Sequence, residues 1–388
     1  MQKFSILFLT NAYPDFDASY RGIFIKKMAT LLKKEGYQIS VVTPKIYKGS
    51  RYFENQDGIC VYRFPFFSGD KLLIEYAKVP YLRMILYYLA GFLMTIYVVM
   101  KTRNRVIHVH WAIPTGVIGA MVNLIWGKSL IVTVHGSDLR LAMERQGLLR
   151  RLFIFVCERA NHLNCVSEIQ KKEMEGIGLG DKDITVIPMG VDQAFIEARD
   201  TRYDKTENRS FTIVSNRNLL PIYNLSLLMR SIPFILKEEP KTKFLIAGEG
   251  SDKNKLEGEA KTLGINSYVK FLDRLPHEKM PELLSQSDIY VSTSLFDGTS
   301  VSLLEAMAAG VFPIVTDIPP NREWVVNGEN GFLVPTGEEI ILAQKIVEAI
   351  RNQKFLKEAS EKNLRIIQER GYWKNNIKKI IRLYQSEG

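Results

Sequence analysis

The run LFDGTSVSLLEAMAAG, residues 295–310, carries an acid near each end, Asp297 and Glu305, eight positions apart. The stretch that leads into Glu305 has helical composition, so about two turns of helix separate the carboxylates. Such spacing lets the two acids reach separate parts of one polar ligand. A helix N-terminus presents free N–H groups and partial positive charge, a natural seat for phosphate oxygens. Gly298 permits close backbone approach, Thr299 shares its loop, and Ser300 or Ser302 can cap the helix or touch the ligand. The plainer reading makes Asp297 the cap and Glu305 part of a solvated helix face. Against it, Glu305 runs into AMAAG within an apolar helix, where a charge without a partner is costly.

Three further segments carry candidate groups. In HGSD, residues 135–138, His135 can exchange hydrogen bonds near a reacting centre and Gly136 lets a substrate approach the main chain. A histidine satisfied by its own protein neighbours fits the same pattern. His108, His110 and Trp111 form another polar and aromatic cluster, but no further ligand completes a metal set, and no metal site is expected. In SNRNLLPIYN, Arg217 follows a strand end where it can neutralise an anionic group, with an ordinary surface arginine as the alternative. The segment IAGEG adds Gly248 and Gly250, which suit a tight approach to a nucleotide but form a weak signal alone.

These groups need strands to end beside them, and the chain supplies strands in two series. FSILFLT, QISVVTP, GICVYRF, VIHVH, LIVTVH, HLNCVS and ITVIP alternate with helical stretches in the first half. FTIVS, KFLIAGEG, YVKFLD, DIYVSTS, FPIVTD and GFLVP repeat the pattern in the second. The expected fold is α/β, with two doubly wound Rossmann-like domains facing across a cleft, and ligand groups on loops beyond the strands' carboxyl ends. A polar stretch at 193–210 reads as the linker. The expected domains are therefore 1–195, joined by a returning helix at about 372–388, and 205–371.

Bulk composition narrows the class. A length of 388 residues with 46% hydrophobic and 24% charged residues implies more than one sizeable core and excludes a disordered chain. The net charge of +10 lies wholly in residues 1–190, which carry 25 Lys and Arg against 15 Asp and Glu, while the remainder carries 27 of each. That half is expected to face something anionic, an acidic membrane surface or a phosphorylated acceptor, with a merely solvated basic face as the alternative. Nucleic acid is not expected, because no RNA-binding, zinc-finger or basic-zipper pattern is present. Three cysteines without ligand spacing fit a reduced cytoplasm, and the N-terminal apolar run is too short for a signal peptide. The segment MILYYLAGFLMTIYVVM, residues 84–100, falls just short of a comfortable membrane span. It reads first as a core helix between sheet layers, second as a domain helix whose flanks Arg83, Lys101, Arg103 and Arg105 lie against an acidic leaflet, and last as a span.

Taken in order, YRGIFIKKMATLLKKEGYQISVVTP, HVHWAIPTGVIGA, TVHGSD, VSE, VIPMGVD, DGTSVSLLEAMAAG, NGENGFLVP and YWKNNIKKIIRLYQ resemble the retaining glycosyltransferases of family four, which have the GT-B fold. The likeness runs over almost the whole chain. It implies a hexose-type sugar donor activated by a nucleotide diphosphate of UDP or GDP type, held mainly by the second domain. It also implies a lipid-linked saccharide or growing polysaccharide acceptor, held mainly by the first. Glu305 matches the family acid on the donor ribose, Asp297 the acid near the transferred sugar, and Arg217 the diphosphate arginine. His135 matches the histidine near the anomeric carbon, and Gly22 a glycine of the loop near the donor phosphates. No cofactor or metal is implied, and the expected location is cytoplasmic, peripheral on the inner face of the membrane.

Two departures stand out. Asp297 replaces the family's usual Glu, and Tyr223 occupies the position of a usual lysine, which removes one of two cations from the leaving group. Arg21 and Arg322 are the candidate substitutes. An epimerase of the same fold, and a silent homologue acting as a partner subunit, are the alternative functions.

Overall fold

The computed structural model describes residues 3–16, 19, 21–70, 80–145, 147–200 and 210–386. The chain forms two compact units, Met1–Pro188 with Ile377–Gly388, and Met189–Asn376.

In the first unit the strands are β1 (Ser5–Thr10), β2 (Gln38–Lys45), β3 (Phe53–Gln56), β4 (Ile59–Pro65), β5 (Val106–His110), β6 (Ser129–Val134), β7 (His162–Cys165) and β8 (Ile184–Val186). Their order is β3-β4-β2-β1-β5-β6-β7-β8. Every neighbouring pair is parallel except β3 and β4. Burial explains the sequence of the central strands. Ile6, Leu7, Phe8 and Leu9 of β1 are all fully buried, as a parallel strand covered on both faces requires. Strand β3 lies outside the expected set, and its signal was the Asp57–Gly58 pair, both with positive φ, which turns β3 back onto β4.

The second unit contains β9 (Thr212–Ser215), β10 (Lys243–Ile246), β11 (Val269–Phe271), β12 (Ile289–Ser292), β13 (Phe312–Thr316) and β14 (Phe332–Val334), all parallel in the order β11-β10-β9-β12-β13-β14. Successive strand residues serve opposite layers: Ile213, Ile289 and Ile314 join one apolar cluster, and Val214, Tyr290 and Val315 the other. This is the doubly wound order. Its strand direction of winding reverses between β9 and β12, so a ligand is expected beyond the carboxyl ends of those two strands. In the first unit the corresponding reversal falls between β1 and β5.

Two expectations change. The segment proposed as a linker begins with the helix Gln193–Asp200, whose Phe195 is buried in the second unit's core. Its Arg199 Nε donates to Ser360 Oγ at 3.2 Å. An apolar face on QAFIEARD thus moves the unit boundary to Pro188, ahead of the expected 195 and 205; the rest of that stretch, 201–209, lies outside the described residues. The helix Tyr81–Thr102 is only half a core helix. Tyr87, Thr95 and Val98 are buried on its inner side, whereas Leu82, Ile85, Leu89, Leu93, Tyr97 and Met100 are more than half exposed.

Candidate active site

In the second unit the chain leaves β9 at Ser215, and two residues later Arg217 turns back across the end of β12. Its guanidinium is 8% exposed. Nη1 donates to Ser300 Oγ at 2.6 Å and to Ser302 Oγ at 2.9 Å, and Nη2 pairs with Asp297 Oδ2 at 2.5 Å. Tyr223 stacks beneath, with the guanidinium carbon 4.3 Å from its ring centre. Burial acts to lower the Arg217 pKa, but the charge and hydrogen bond of Asp297, with Tyr223 and Tyr290 nearby, together outweigh it and hold the group above its ordinary value. Arg217 Nε is buried without a hydrogen-bond partner. The sequence therefore builds a fixed cation at the reversal point, with one N–H unused.

The helix Val301–Ala308 begins here. Ser300 is its cap and accepts from Leu303 N at 3.4 Å, so the capping role weighed for Asp297 belongs to Ser300. Asp297 instead accepts from Gly298 N at 3.0 Å while pairing with Arg217. Gly298 and Thr299 lie half-buried between them. Ser302 also meets Tyr290 Oη at 2.9 Å.

Glu305 lies farther along the same helix, 5% exposed. Its charge has a partner that sequence reasoning missed: His277 Nε2 stands 2.7 Å from Glu305 Oε1. Burial acts to lower the His277 pKa, yet the hydrogen bond and charge of Glu305, with Asp192 and Glu278 nearby, raise it above its ordinary value. Gly248 and Gly250 meet a packing demand. A Cβ on Gly248 would sit 2.3 Å from Arg217 O, and one on Gly250 would sit 2.1 Å from Leu219 O, so both glycines let the loop after β10 lie against the loop that carries Arg217.

In the first unit, His135 leaves β6 with its Nε2 3.1 Å from His110 Nδ1. The Trp111 ring lies 4.4 Å away and that of Phe24 5.3 Å away. Though partly accessible to solvent, the imidazole is crowded, and burial together with His108 pushes its pKa down to about 3, so it is neutral at physiological pH. Asp138 fixes the turn beneath it by accepting from the backbone N–H groups of Ala112, His135 and Gly136 at 2.7, 3.2 and 3.0 Å. His108 is structural: its Nδ1 meets Tyr384 Oη at 2.5 Å and its Nε2 meets Thr133 Oγ1 at 2.8 Å. Gly22, with φ 66°, opens the helix Ile23–Lys34 against the loop after β1, where a Cβ would sit 2.2 Å from Ala12 O.

Neither substitute for the lysine is a free cation. Arg21 is buried, donating to Tyr13 O at 3.1 Å, Asn11 O at 2.5 Å and Asp15 Oδ2 at 2.8 Å, so it organises the loop after β1. Arg322 forms a two-pronged surface pair with Asp317 at 2.6 and 3.0 Å.

This fold places the chain in the class of α/β proteins with two Rossmann-like domains. Two family models divide the chain between them: Glycosyltransferase Family 4 matches residues 22–195 and Glycosyl transferases group 1 matches residues 198–365. The chain belongs to the family-four glycosyltransferases of GT-B fold, and its activity is that of a glycosyltransferase. Among its relatives, N-acetyl-alpha-D-glucosaminyl L-malate synthase of Bacillus anthracis is 24% identical over 296 residues, 74% of this chain and 75% of that protein. The UDP-Gal:alpha-D-GlcNAc-diphosphoundecaprenol alpha-1,3-galactosyltransferase of Escherichia coli is 26% identical over 246 residues, 60% of this chain and 63% of that one. Anabaena HepE, solved in complex with UDP, superposes with a TM-score of 0.75 at 17% identity over 98% of this chain and 100% of its own.

Proposed function

We propose that this glycosyltransferase moves a hexose-type sugar, with retained anomeric configuration and without a metal ion, from a UDP- or GDP-sugar to a lipid-linked saccharide or growing polysaccharide in the cytoplasm. The observation that carries the reading is the Arg217 fork, held by Asp297, Ser300 and Ser302 where the second sheet's winding reverses. The bond between the sugar's anomeric carbon and the diphosphate breaks, and negative charge collects on the departing oxygen. Arg217, with its unused Nε–H, and the first N–H groups of the helix Val301–Ala308 stabilise that charge without moving. The acceptor oxygen bonds to the anomeric carbon on the face the diphosphate leaves, and its proton passes to the departing phosphate oxygen. No protein base is needed. Asp297 faces the hexose, Glu305 grips the ribose hydroxyls, and neutral His135 offers a hydrogen bond near the reacting carbon.

The Escherichia coli relative, named for a UDP-sugar donor and a diphosphoundecaprenol-linked acceptor, supports this choice of substrates. The relatives described above are glycosyltransferases or sugar-conjugate synthases, which gives the epimerase reading no support. The test is calorimetric titration with UDP, GDP and ADP, followed by turnover of the matching sugar nucleotides with a lipid extract and assignment of the product anomer by NMR. One nucleotide should bind, and EDTA should leave transfer unchanged. An inverted product, or donor conversion that needs no acceptor, sinks the proposal.

A further inference from the structure

The helix Tyr81–Thr102 carries an apolar stripe that no described residue of the first unit covers. Leu82, Ile85, Leu89, Leu93, Tyr97 and Met100 are 84, 65, 57, 57, 51 and 67% exposed. At 100° per residue they fall within about 120° of arc, and at 1.5 Å rise they run for about 27 Å. A single exposed apolar residue is common on a protein surface, but six large ones in one stripe are not. The neighbouring helix Val117–Trp126 extends the apolar surface with Leu124, Ile125 and Trp126, which are 54, 59 and 38% exposed.

Charge identifies what this surface meets. From residue 76 to residue 137 the chain contains no Asp or Glu, whereas Lys78, Arg83, Lys101, Arg103, Arg105 and Lys128 all fall within it. None of Lys101, Arg103, Arg105 and Lys128 forms an ion pair with a described residue. The Lys101 ammonium lies 5.5 Å from the Tyr62 ring centre and 5.4 Å from that of Tyr97. These rings help to line an open groove of about 670 Å³ beside the stripe. A second copy of this chain would bring the same positive field against itself. An anionic leaflet supplies the opposite charge to the basic ends and a hydrocarbon boundary to the stripe.

Packing within the unit argues against the helix crossing a bilayer. Its other face is built into the unit: Tyr87 Oη meets Asn11 Oδ1 at 3.2 Å, and a Cβ on Gly91 would stand 2.6 Å from the Ile118 side chain. Withdrawing the helix would uncover Tyr87, Thr95 and Val98, all fully buried.

We propose that the outward face of Tyr81–Thr102, with its basic C-terminal flank, is a docking surface for an anionic lipid bilayer. The proposal does not rest on the identity of donor or acceptor. The full chain is floated with vesicles of phosphatidylcholine alone and with vesicles containing 30% phosphatidylglycerol, at low and high salt, and L89E/L93E is compared with the unchanged protein. The unchanged protein should float with the anionic vesicles and be released by salt, and the variant should lose more than ten-fold in bound fraction while keeping its circular dichroism spectrum and nucleotide binding. Equal flotation of variant and parent overturns the proposal, as does failure of the parent to float. A concentration-dependent dimer in light scattering that L89E/L93E dissolves would assign the stripe to a second copy instead.

Discussion

His277 Nε2 and Glu305 Oε1 stand 2.7 Å apart, and this bond gives a nearly buried carboxylate its partner. If Glu305 grips the ribose, His277 sets the angle at which it does so. His277→Leu leaves the carboxylate without a donor, at a cost of about 1–3 kcal/mol. The donor KM should rise by roughly ten-fold or more with a smaller change in kcat, and His277→Gln should recover most of the loss. The pH dependence has a definite sign. The folded pKa of His277 is raised, so the charged pair exists at low pH and is lost as pH rises through that pKa. The donor KM of the parent should increase over that window, and the increase should vanish in His277→Gln.

Arg217 and Tyr223 make a second separable pair. Arg217→Ala removes the buried cation whose Nε has no hydrogen-bond partner, and kcat should fall by about 10²–10³ if Arg217 meets the leaving group as proposed. Tyr223 contributes a flat face 4.3 Å from the guanidinium carbon. Tyr223→Phe should therefore retain near-parental turnover, while Tyr223→Ala should lose about three- to thirty-fold. Steady-state kinetics on the identified donor would separate the two; a large loss in Tyr223→Phe would mean that the phenol itself acts.

Acid should loosen the first unit. Burial lowers His108 and His135 to about 3 and His110 well below its ordinary value, so all three are neutral when folded and take up protons near 6.5 when unfolded. Their contribution is complete above pH 6.5 and drains away as pH falls from there toward about 3. Burial raises Asp138 to about 6, which opposes the trend because its protonated form is favoured in the folded state. Three groups against one leave a net loss of about 2 kcal/mol between pH 6.5 and 5.5. A falling urea midpoint over that interval would show it, and a flat midpoint would refute the neutral assignment.

Two glycines provide a controlled comparison of space and strain. Gly22 and Gly127 have φ values of 66° and 58°, but a Cβ on Gly22 meets Ala12 O at 2.2 Å whereas one on Gly127 meets nothing within 4 Å. Gly127→Ala should cost about 1–2 kcal/mol from the left-handed backbone alone. Gly22→Ala adds the clash and should cost about 2–5 kcal/mol. Thermal unfolding of the two variants gives the comparison directly.

Local pattern carried much of this structure and contact at a distance carried the rest. The central strands were legible because parallel strands buried on both faces read as unbroken apolar runs, as in FSILFLT. Arg217 and the 297–305 segment were legible because they follow strand ends at the point where winding reverses. His277 was not, since its meeting with Glu305 joins residues 28 apart on different elements. Arg21 showed its charge in the sequence but not the carbonyls of Asn11 and Tyr13 that absorb it. The helix Tyr81–Thr102 showed its hydrophobicity but concealed its sidedness, because both the packed and the exposed faces are apolar.

The last dozen residues, Ile377–Gly388, belong to the first unit, where Tyr384 reaches His108 and Ser386 meets His162 at 2.8 Å. A ribosome adding about 5–20 residues per second needs roughly 10–40 s to make the intervening 188 residues. Throughout that interval the half born first stays unfinished, with His108 lacking its tyrosine. Completion of the first unit waits on synthesis of the whole second one, so losing the Tyr384 segment would injure the part of the polypeptide made earliest.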